Sequence, residues 1–295
     1  MEKPSNSVKY FFQLFKKQLK KQYDEKEIIQ FLYILFENYF GWGKTEVQLR
    51  LDDILSGNDS IRIRNALSEL SGNRPVQYIT GIAYFARLEL SVNPNVLIPR
   101  PETEEMANLI IKENGHRQQE SMAIIDIGTG SGCIAISLKM KMQDASITAI
   151  DISSAGLEVA RKNASRYGCL IWFQQADILD PMQLQDFPAY DIIVSNPPYV
   201  LESEKKMMHQ NVLDYEPAGA LFVPDDDPMR FNSVITMFAC KHLKRSGILY
   251  LEINERFGRE VRELLSFNGF EHIEVLKDMH GKDRFVKALF PGSLL

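Results

Sequence analysis

Near the middle of the chain the sequence reads Asp126-Ile127-Gly128-Thr129-Gly130-Ser131-Gly132, between a predicted strand at 123–127 and a predicted helix at 133–142. We call Gly128–Gly132 the glycine loop. Glycines at such a junction let the backbone approach a ligand closely, and the free amides of the following helix face that ligand. The spacing G-x-G-x-G differs from the G-x-G-x-x-G of the dinucleotide fingerprint. A tight turn would also explain a lone glycine loop, so its neighbours decide the interpretation.

Working outward from this loop, apolar strands alternate with helical segments. The predicted strands are 123–127, 147–150, 170–173, 192–195 and 248–253. After a helix at 259–267, two closing strands at 271–276 and 284–290 are joined by a turn that contains Gly281. This alternation predicts an α/β fold with a mostly parallel, doubly wound sheet covered by helices on both faces.

The first quarter of the chain contains only helical patterns. Apolar residues recur at helical spacing, one helix is predicted to be capped by Asp24, and another to begin at Asp59 or Ser60. The period then changes to two, which predicts a hairpin that turns at Ala86 and Arg87. The predicted organisation is a helical bundle at 1–74, a β-hairpin linker at 75–100 and an α/β domain at 101–295.

Asp151 ends the strand that follows the glycine loop. A carboxylate at that position can accept hydrogen bonds from both hydroxyls of a ribose. An exposed acid that caps the next helix is the alternative interpretation. Together, the strand, glycine loop, helix, second strand and terminal acid favour a cofactor that carries a nucleoside.

The predicted strand at 192–195 is followed by Asn196-Pro197-Pro198-Tyr199, which we call the proline shelf. Two consecutive prolines fix φ and remove two backbone donors at the carboxyl end of a strand, where α/β folds bind ligands. The Asn196 amide oxygen and the Pro197 carbonyl could accept the two hydrogens of a planar NH₂ group, while the Tyr199 ring stacks on its plane. The alternative is a rigid proline turn with an Asn cap.

Composition narrows the possible partners. The chain has 295 residues, 34 of them basic and 39 acidic, for a net charge of −5. This balance argues against a globally basic nucleic-acid coat. The three cysteines and five histidines lack metal-ligand spacing, so we assign no metal and expect reduced, cytosolic thiols. We also expect neither a signal peptide nor a membrane span.

The glycine loop and Asp151 resemble the cofactor motifs of class I, Rossmann-like S-adenosylmethionine-dependent methyltransferases. The chain is most similar to the HemK/PrmC family, which methylates N5 of the glutamine in the Gly-Gly-Gln motif of class I peptide-chain release factors. The proline shelf, residues 97–104, Glu216-Pro217, Leu251-Glu252-Ile253 and residues 277–284 carry this resemblance, which spans nearly the whole chain.

The resemblance implies a cytoplasmic, monomeric enzyme that modulates translation termination, with a substrate-recognition domain at 1–74 and a catalytic domain at 101–295. It implies that Asn196, Pro197 and Tyr199 are catalytic and that the whole proline shelf binds substrate. The implied residues for S-adenosylmethionine are Gly128, Thr129, Gly130, Ser131, Gly132, Asp151, Asp177, Ile178 and Asn196. Glu102 and Glu104 are either cofactor contacts or first-turn helix charges, and Arg100 is expected to pair with them.

Two other functions share part of this pattern. An N6-adenine nucleic-acid methyltransferase would use the same shelf on a flipped-out or single-stranded base. The acidic charge and the lack of an extended basic and aromatic surface argue against it, and we expect no direct nucleic-acid binding. A nucleotide-linked oxidoreductase or dinucleotide sensor would use the glycine loop but leaves the proline shelf without a role.

Overall fold

The computed structural model describes residues 6–115 and 121–292. The described chain divides into two compact units. The first extends to Gly81 and also includes His209–Tyr215, and the second comprises Ile82–Met208 and the chain from Glu216 onward. The predicted linker, 75–100, is therefore divided between the units, and the division falls after Gly81 rather than after residue 74.

The first unit is helical. Its elements are α1 (Val8–Leu19), α2 (Glu25–Phe40), α3 (Lys44–Leu49), α4 (Gly57–Ser71), α5 (Val76–Thr80) and α9 (Gln210–Tyr215). Asp24 caps α2 as predicted, by accepting a hydrogen bond from the Glu27 amide. The predicted start of α4 at Asp59 or Ser60 is wrong, because the Ser56 hydroxyl accepts from the Asp59 amide and begins the helix earlier.

The second unit opens with a two-stranded hairpin of β1 (Ile82–Phe85) and β2 (Leu88–Ser91). Its turn lies at Ala86 and Arg87, as predicted, and both residues have positive φ angles, of 48° and 64°. Positive φ at both central residues matches the right-handed twist of the two strands. The hairpin begins only at Ile82, because α5 continues to Thr80.

Within the described residues, the second unit contains a seven-stranded sheet in the order β10-β11-β9-β6-β3-β4-β5. Its strands are β3 (Ala123–Ile127), β4 (Ser146–Asp151), β5 (Trp172–Gln175), β6 (Tyr190–Ser195), β9 (Leu243–Glu252), β10 (Glu271–Lys277) and β11 (Asp283–Phe290). The strands from β9 to β5 are parallel, whereas β11 pairs antiparallel with β9 and β10. The predicted mostly parallel α/β sheet is confirmed.

Helices cover both faces of this sheet. They are α6 (Pro101–Asn114), α7 (Cys133–Lys141), α8 (Ser154–Arg166), α10 (Arg230–His242) and α11 (Gly258–Phe267). Consecutive residues of β3 point to opposite faces, so Ile124 and Ile125 lie in two separate hydrophobic cores. Burial on both faces explains why the central strands are continuous apolar runs. A separate pair, β7 (Val200–Leu201) and β8 (Phe222–Val223), follows the proline shelf.

One predicted strand is displaced. The apolar run at 170–173 predicted a strand there, but β5 spans Trp172–Gln175, and Leu170 is 84% exposed. β5 is an edge strand that pairs only with β4, beginning at Thr148 opposite Trp172. Pairing with one neighbour, rather than apolar character, therefore determines its limits. Across the described residues, no helix combines the length and the apolar character needed to cross a membrane.

Candidate active site

A cavity of about 420 Å³ lies at the carboxyl ends of the parallel strands of the second unit. This is the edge at which open α/β sheets bind ligands, and the volume falls in the range of small-molecule sites. Ten residues predicted from the sequence line it: Gly128, Thr129, Gly130, Ser131, Asp151, Asp177, Ile178, Asn196, Pro197 and Pro198. Gly132 and Tyr199 are not among the lining residues.

The glycine loop is held against the end of β4. The amides of Gly128 and Thr129 both donate to the Ile150 carbonyl, at 2.9 and 3.0 Å. The Gly130 amide donates to Asp151 Oδ2 at 2.8 Å, and the Ser153 amide donates to Asp151 Oδ1 at 2.9 Å. Burial raises the pKa of Asp151 although these amides favour its charged form. Asp151 therefore both fixes the loop and presents a carboxylate to the cavity.

Gly132 allows α7 to begin and to pack closely against its neighbour, α8. It has φ of 81° and precedes Cys133, the first residue of the helix. A Cβ atom there would lie 3.0 Å from Ile136 Cδ1 and 3.3 Å from Ala160 Cβ. A glycine is therefore required for the backbone turn and for close helix packing, whereas the predicted cofactor contact of Gly132 stays a prediction.

Asp126 is the residue before the last of β3, and sequence reasoning assigned it no role. The carboxylate is fully buried, and Oδ2 accepts from the Thr129 hydroxyl at 2.7 Å and from the Ala135 amide at 3.3 Å. Desolvation raises its pKa to about 7. An acid at the end of an otherwise apolar strand was the available signal. Asp126 joins the glycine loop to the first turn of α7.

Asp177 and Ile178 follow β5 and line the cavity beside the Asp151 loop. The Leu179 amide donates to Asp177 Oδ1 at 2.8 Å, and the Asp177 amide donates to Gln183 Oε1 at 3.0 Å. Ile178 is buried. The pair therefore combines a carboxylate fixed by its own loop with an apolar surface.

The amide group of Asn196 is oriented by a residue of α6. Asn196 Nδ2 donates to Thr103 Oγ1 at 2.8 Å, so the nitrogen end of the amide is engaged by protein. The oxygen end is the one that can accept from a ligand in the cavity, which both Asn196 and Thr103 line. Pro197 and Pro198, which also line the cavity, have no backbone N–H. This edge of the cavity therefore offers acceptors.

Tyr199 contacts protein rather than the cavity. Its hydroxyl donates to Glu252 Oε1 at 2.9 Å, and the Arg284 guanidinium lies 5.8 Å from its ring centroid. Burial and the nearby Glu252 carboxylate raise the pKa of Tyr199, so the phenol stays neutral. The predicted stacking on a substrate stays a prediction.

Glu252, at the end of β9, is the residue that connects these groups. It is 1% exposed, and Oε2 accepts from the Thr103 hydroxyl at 2.7 Å while Oε1 accepts from Tyr199. Desolvation raises its pKa to about 7, against the effect of its two donors and Arg284. Thr103 and Glu252 were part of the family resemblance, but sequence reasoning gave neither a role. Their separation along the chain left no local signal.

Arg100 pairs with Glu216 rather than with Glu102 or Glu104, so that expectation is wrong. Arg100 Nη2 lies 2.6 Å from Glu216 Oε1, and the Ile98 amide donates to Glu216 Oε2 at 3.1 Å. Glu216 is buried, so its carboxylate needs a cation and a donor. Glu102 and Glu104 lie in the first turn of α6, where they complement the helix dipole.

The cavity fits a cofactor that carries a nucleoside. Its wall contains the carboxylates of Asp151 and Asp177 together with the apolar side chains of Ile152 and Ile178. The Ser131 hydroxyl is buried there without a hydrogen-bond partner in the described parts of the chain. Acceptors for sugar hydroxyls beside an apolar slot suit a ribose joined to a flat base.

Two family models match the chain. The model described as "Methyltransferase small domain" matches residues 106–236, which contain the glycine loop and the proline shelf. The model described as "PrmC N-terminal domain" matches residues 12–81, which lie within the helical unit. The match ends at the same residue, Gly81, as the first compact unit does.

Solved structures share the fold at low sequence identity. A methyltransferase from Pyrococcus furiosus superposes with a TM-score of 0.52 at 17% identity, covering 81% of this chain and 100% of that one. The human Mettl16 catalytic domain superposes with a TM-score of 0.55 at 14% identity, covering 81% and 84%. The sheet order and these likenesses show the fold of class I methyltransferases. Curated relatives identify the family.

A protein named "Release factor glutamine methyltransferase" from Flavobacterium psychrophilum is 44% identical over 91% of this chain and 94% of its own length. One of the same name from Bacteroides thetaiotaomicron is 41% identical over 90% and 94%. The chain belongs to the release factor glutamine methyltransferase family.

Proposed function

We propose that this enzyme transfers a methyl group from S-adenosylmethionine to the side-chain amide nitrogen of the glutamine in the Gly-Gly-Gln motif of class I peptide-chain release factors. The modification would modulate translation termination. The proposal rests on one observation: Asn196, whose side-chain nitrogen donates to Thr103, lines the same cavity as the glycine loop and Asp151. Family membership supports the choice of a glutamine amide over other planar NH₂ groups.

S-adenosylmethionine supplies, when bound, an electrophilic methyl group on a sulfonium. In the proposal, Asp151 accepts hydrogen bonds from the ribose hydroxyls. The Asp177 carboxylate and the apolar Ile178 side chain contact the base. The glycine loop provides close backbone approach, and the Ser131 hydroxyl gains a partner. The carboxylates of Asp151 and Asp177 also favour a cofactor that carries a positive charge.

The substrate amide requires orientation and electron density at its nitrogen. Its lone pair is delocalised into the carbonyl, which makes the nitrogen a poor nucleophile. Acceptors on both N–H hydrogens, Asn196 Oδ1 and the Pro197 carbonyl, return electron density to the nitrogen and fix its direction of approach. Orientation of this kind contributes roughly 7 to 11 kcal/mol in favourable intramolecular systems.

A dedicated general base is not required by this mechanism. The amide nitrogen becomes acidic once it carries the additional methyl group, and Asn196 Oδ1 or the Pro197 carbonyl already accepts its hydrogen. The proton can then pass to water. No step asks Tyr199 to ionise, which agrees with the raised pKa of its phenol.

We propose that the helical unit, which comprises the chain up to Gly81 together with His209–Tyr215, recognises the release factor. The family model matched there is separate from the methyltransferase model. Every residue assigned above to the cofactor lies in the second unit. A glutamine in a large folded partner must be carried to the proline shelf, and a second unit offers additional surface for that partner.

The experiment is incubation of the full chain with methyl-labelled S-adenosylmethionine and a class I release factor, followed by peptide mass mapping. We expect one methyl group on the Gly-Gly-Gln glutamine and none on a release factor whose glutamine is replaced by glutamate. An oligonucleotide arm tests the adenine alternative, and calorimetry with NAD tests the nucleotide-linked one. Label on oligonucleotide adenine, or tight binding of NAD alone, would overturn the proposal.

A further inference from the structure

One side chain of the proline shelf and one side chain bonded to it donate to the same buried carboxylate. The Thr103 hydroxyl donates to Glu252 Oε2 at 2.7 Å, and the Tyr199 hydroxyl donates to Glu252 Oε1 at 2.9 Å. Thr103 in turn accepts from Asn196 Nδ2 at 2.8 Å. Glu252 is not among the residues that line the cavity, so it acts on the shelf only through Thr103 and Tyr199.

The chemistry of this chain of hydrogen bonds sets its direction. An ionised carboxylate only accepts, so the Thr103 hydroxyl must give its single hydrogen to Glu252. Thr103 then has only lone pairs left, and it can bind Asn196 only through Nδ2. The amide oxygen of Asn196 is thereby kept for a ligand. If Glu252 were protonated, the Thr103 hydroxyl could turn its hydrogen toward Asn196. The Asn196 amide could then take the opposite orientation, with Oδ1 rather than Nδ2 facing Thr103.

We infer that Glu252 is a positioning residue for methyl transfer, which orients the Asn196 amide through Thr103 and holds Tyr199 directly. This inference rests on the proposed function, because it assumes that Asn196 Oδ1 accepts from the substrate amide. It adds to that function a buried carboxylate that decides which end of Asn196 meets the substrate. The cost of burying the charge is offset by two hydroxyl donors and the nearby Arg284 cation.

The charges around Glu252 come from several elements. Arg284 of β11 favours its ionised form, and Glu102 of α6 opposes it. Tyr199 of the proline shelf and Cys133 of α7 also interact with Glu252, and burial raises the pKa of both, so they stay neutral near pH 7. Burial gives Glu252 a pKa of about 7. Ionisation of Glu252 is therefore expected to appear in the pH profile of turnover.

The test uses the full-length enzyme with three substitutions at two positions. Glu252→Gln removes the carboxylate that accepts from Thr103, and Thr103→Val removes the hydroxyl between Glu252 and Asn196, both with little change of shape. Thr103→Ser keeps that hydroxyl. Thr236→Val is the matched control, because Thr236 is a buried threonine of α10 whose hydroxyl bonds the Asn232 carbonyl outside the cavity. Measured quantities are kcat and KM with a release factor and the Kd for S-adenosylmethionine.

We expect Glu252→Gln and Thr103→Val to lower kcat at least about tenfold, since small misplacements of reacting groups are costly. Thr103→Ser should restore most of the kcat that Thr103→Val loses, and Thr236→Val should stay within about threefold of wild type, as should every cofactor Kd. Wild-type kcat should fall as pH decreases through about 7, and the residual activity of Glu252→Gln should fall less, because Asp126, which also has a pKa of about 7, still titrates in that variant.

Equal kcat values for wild type, Glu252→Gln and Thr103→Val would overturn the inference while leaving the proposed function intact. Parallel losses in kcat and cofactor affinity would also overturn it, because Thr103 would then be a cofactor contact. A wild-type enzyme that methylates no release factor would instead overturn the proposed function. Circular dichroism on each variant separates loss of fold from loss of positioning.

Discussion

The Gly130 amide donates a 2.8 Å hydrogen bond to Asp151 Oδ2 and thereby joins the glycine loop to the end of β4. Gly130 lies in the connection between β3 and α7, whereas Asp151 is the last residue of β4. One carboxylate therefore shapes the loop and remains beside the cavity that both residues line. Changes at Asp151 should affect cofactor binding through both effects.

Asp151→Ala is expected to raise the Kd for S-adenosylmethionine at least about tenfold, or about 1.4 kcal/mol. The variant loses a charged acceptor for the ribose hydroxyls and the support of the Gly130 and Ser153 amides. Isothermal titration calorimetry measures the effect. Asp180→Ala is the control, because Asp180 is a carboxylate that accepts from a nearby loop amide, that of Met182, but lies outside the cavity. Similar affinities of both variants for S-adenosylmethionine would show that Asp151 is a loop residue that does not bind the cofactor.

Asn196→Ala is expected to abolish methyl transfer while the cofactor affinity falls much less. Loss of one buried polar partner costs about 1 to 3 kcal/mol, and more when it also sets the reacting geometry. Turnover of a release factor and calorimetry on the same preparation separate the two effects. Asn268→Ala provides the control, since Asn268 caps α11 through the Leu264 carbonyl. Turnover within threefold of wild type would exclude the acceptor role of Asn196.

Alanine at two glycines of the loop should have different consequences. Gly132→Ala introduces a Cβ at φ of 81° and 3.0 Å from Ile136 Cδ1, so it should destabilise by more than the roughly 1 to 2 kcal/mol of backbone strain. Gly130→Ala, at φ of 54° with no atom within 4 Å, carries the strain alone but lines the cavity. We expect the larger loss of unfolding free energy for Gly132→Ala and the larger loss of cofactor affinity for Gly130→Ala. Urea unfolding and calorimetry test both, and the reverse order would contradict the packing argument.

The free energy of unfolding should fall as pH rises from about 5 to about 7. Asp126 and Glu252 have folded pKa values of about 7, above the ordinary 3.8 and 4.5, so the folded state keeps protons that the unfolded state has released. Each group then contributes a decrease of at most about 1.4 kcal/mol per pH unit, which ends above the folded pKa. Asp126→Asn removes one contribution, and urea unfolding at several pH values should show a shallower slope. Equal slopes for variant and wild type would mean that Asp126 is ionised throughout.

Removal of the first 81 residues should separate cofactor binding from substrate recognition. The fragment from Ile82 keeps every residue that lines the cavity, so we expect its Kd for S-adenosylmethionine to stay within about threefold. Methylation of an intact release factor should fall sharply, and methylation of a short Gly-Gly-Gln peptide much less. Full methylation of the intact factor would show that the helical unit is dispensable for recognition.

Residues that are close along the chain were predictable from sequence. The strand, glycine loop and helix around Gly128, the terminal acid Asp151 and the stiff Asn196-Pro197-Pro198 segment depend on local backbone preferences and on hydrophobic period, which a sequence displays directly. The hairpin turn at Ala86 and Arg87 was found in the same way. The limits of β5 were missed, because an edge strand is defined by its partner.

Only the tertiary structure decided what orients these groups. Thr103 of α6 lies 93 positions from Asn196 and 149 from Glu252, and the packing of α6 on the sheet brings the three together. It likewise pairs Arg100 with Glu216, 116 positions away, although two nearer carboxylates were available in the sequence. A hydrogen bond depends on distance and direction between atoms, and in a parallel sheet the ends of strands far apart in sequence meet at one edge.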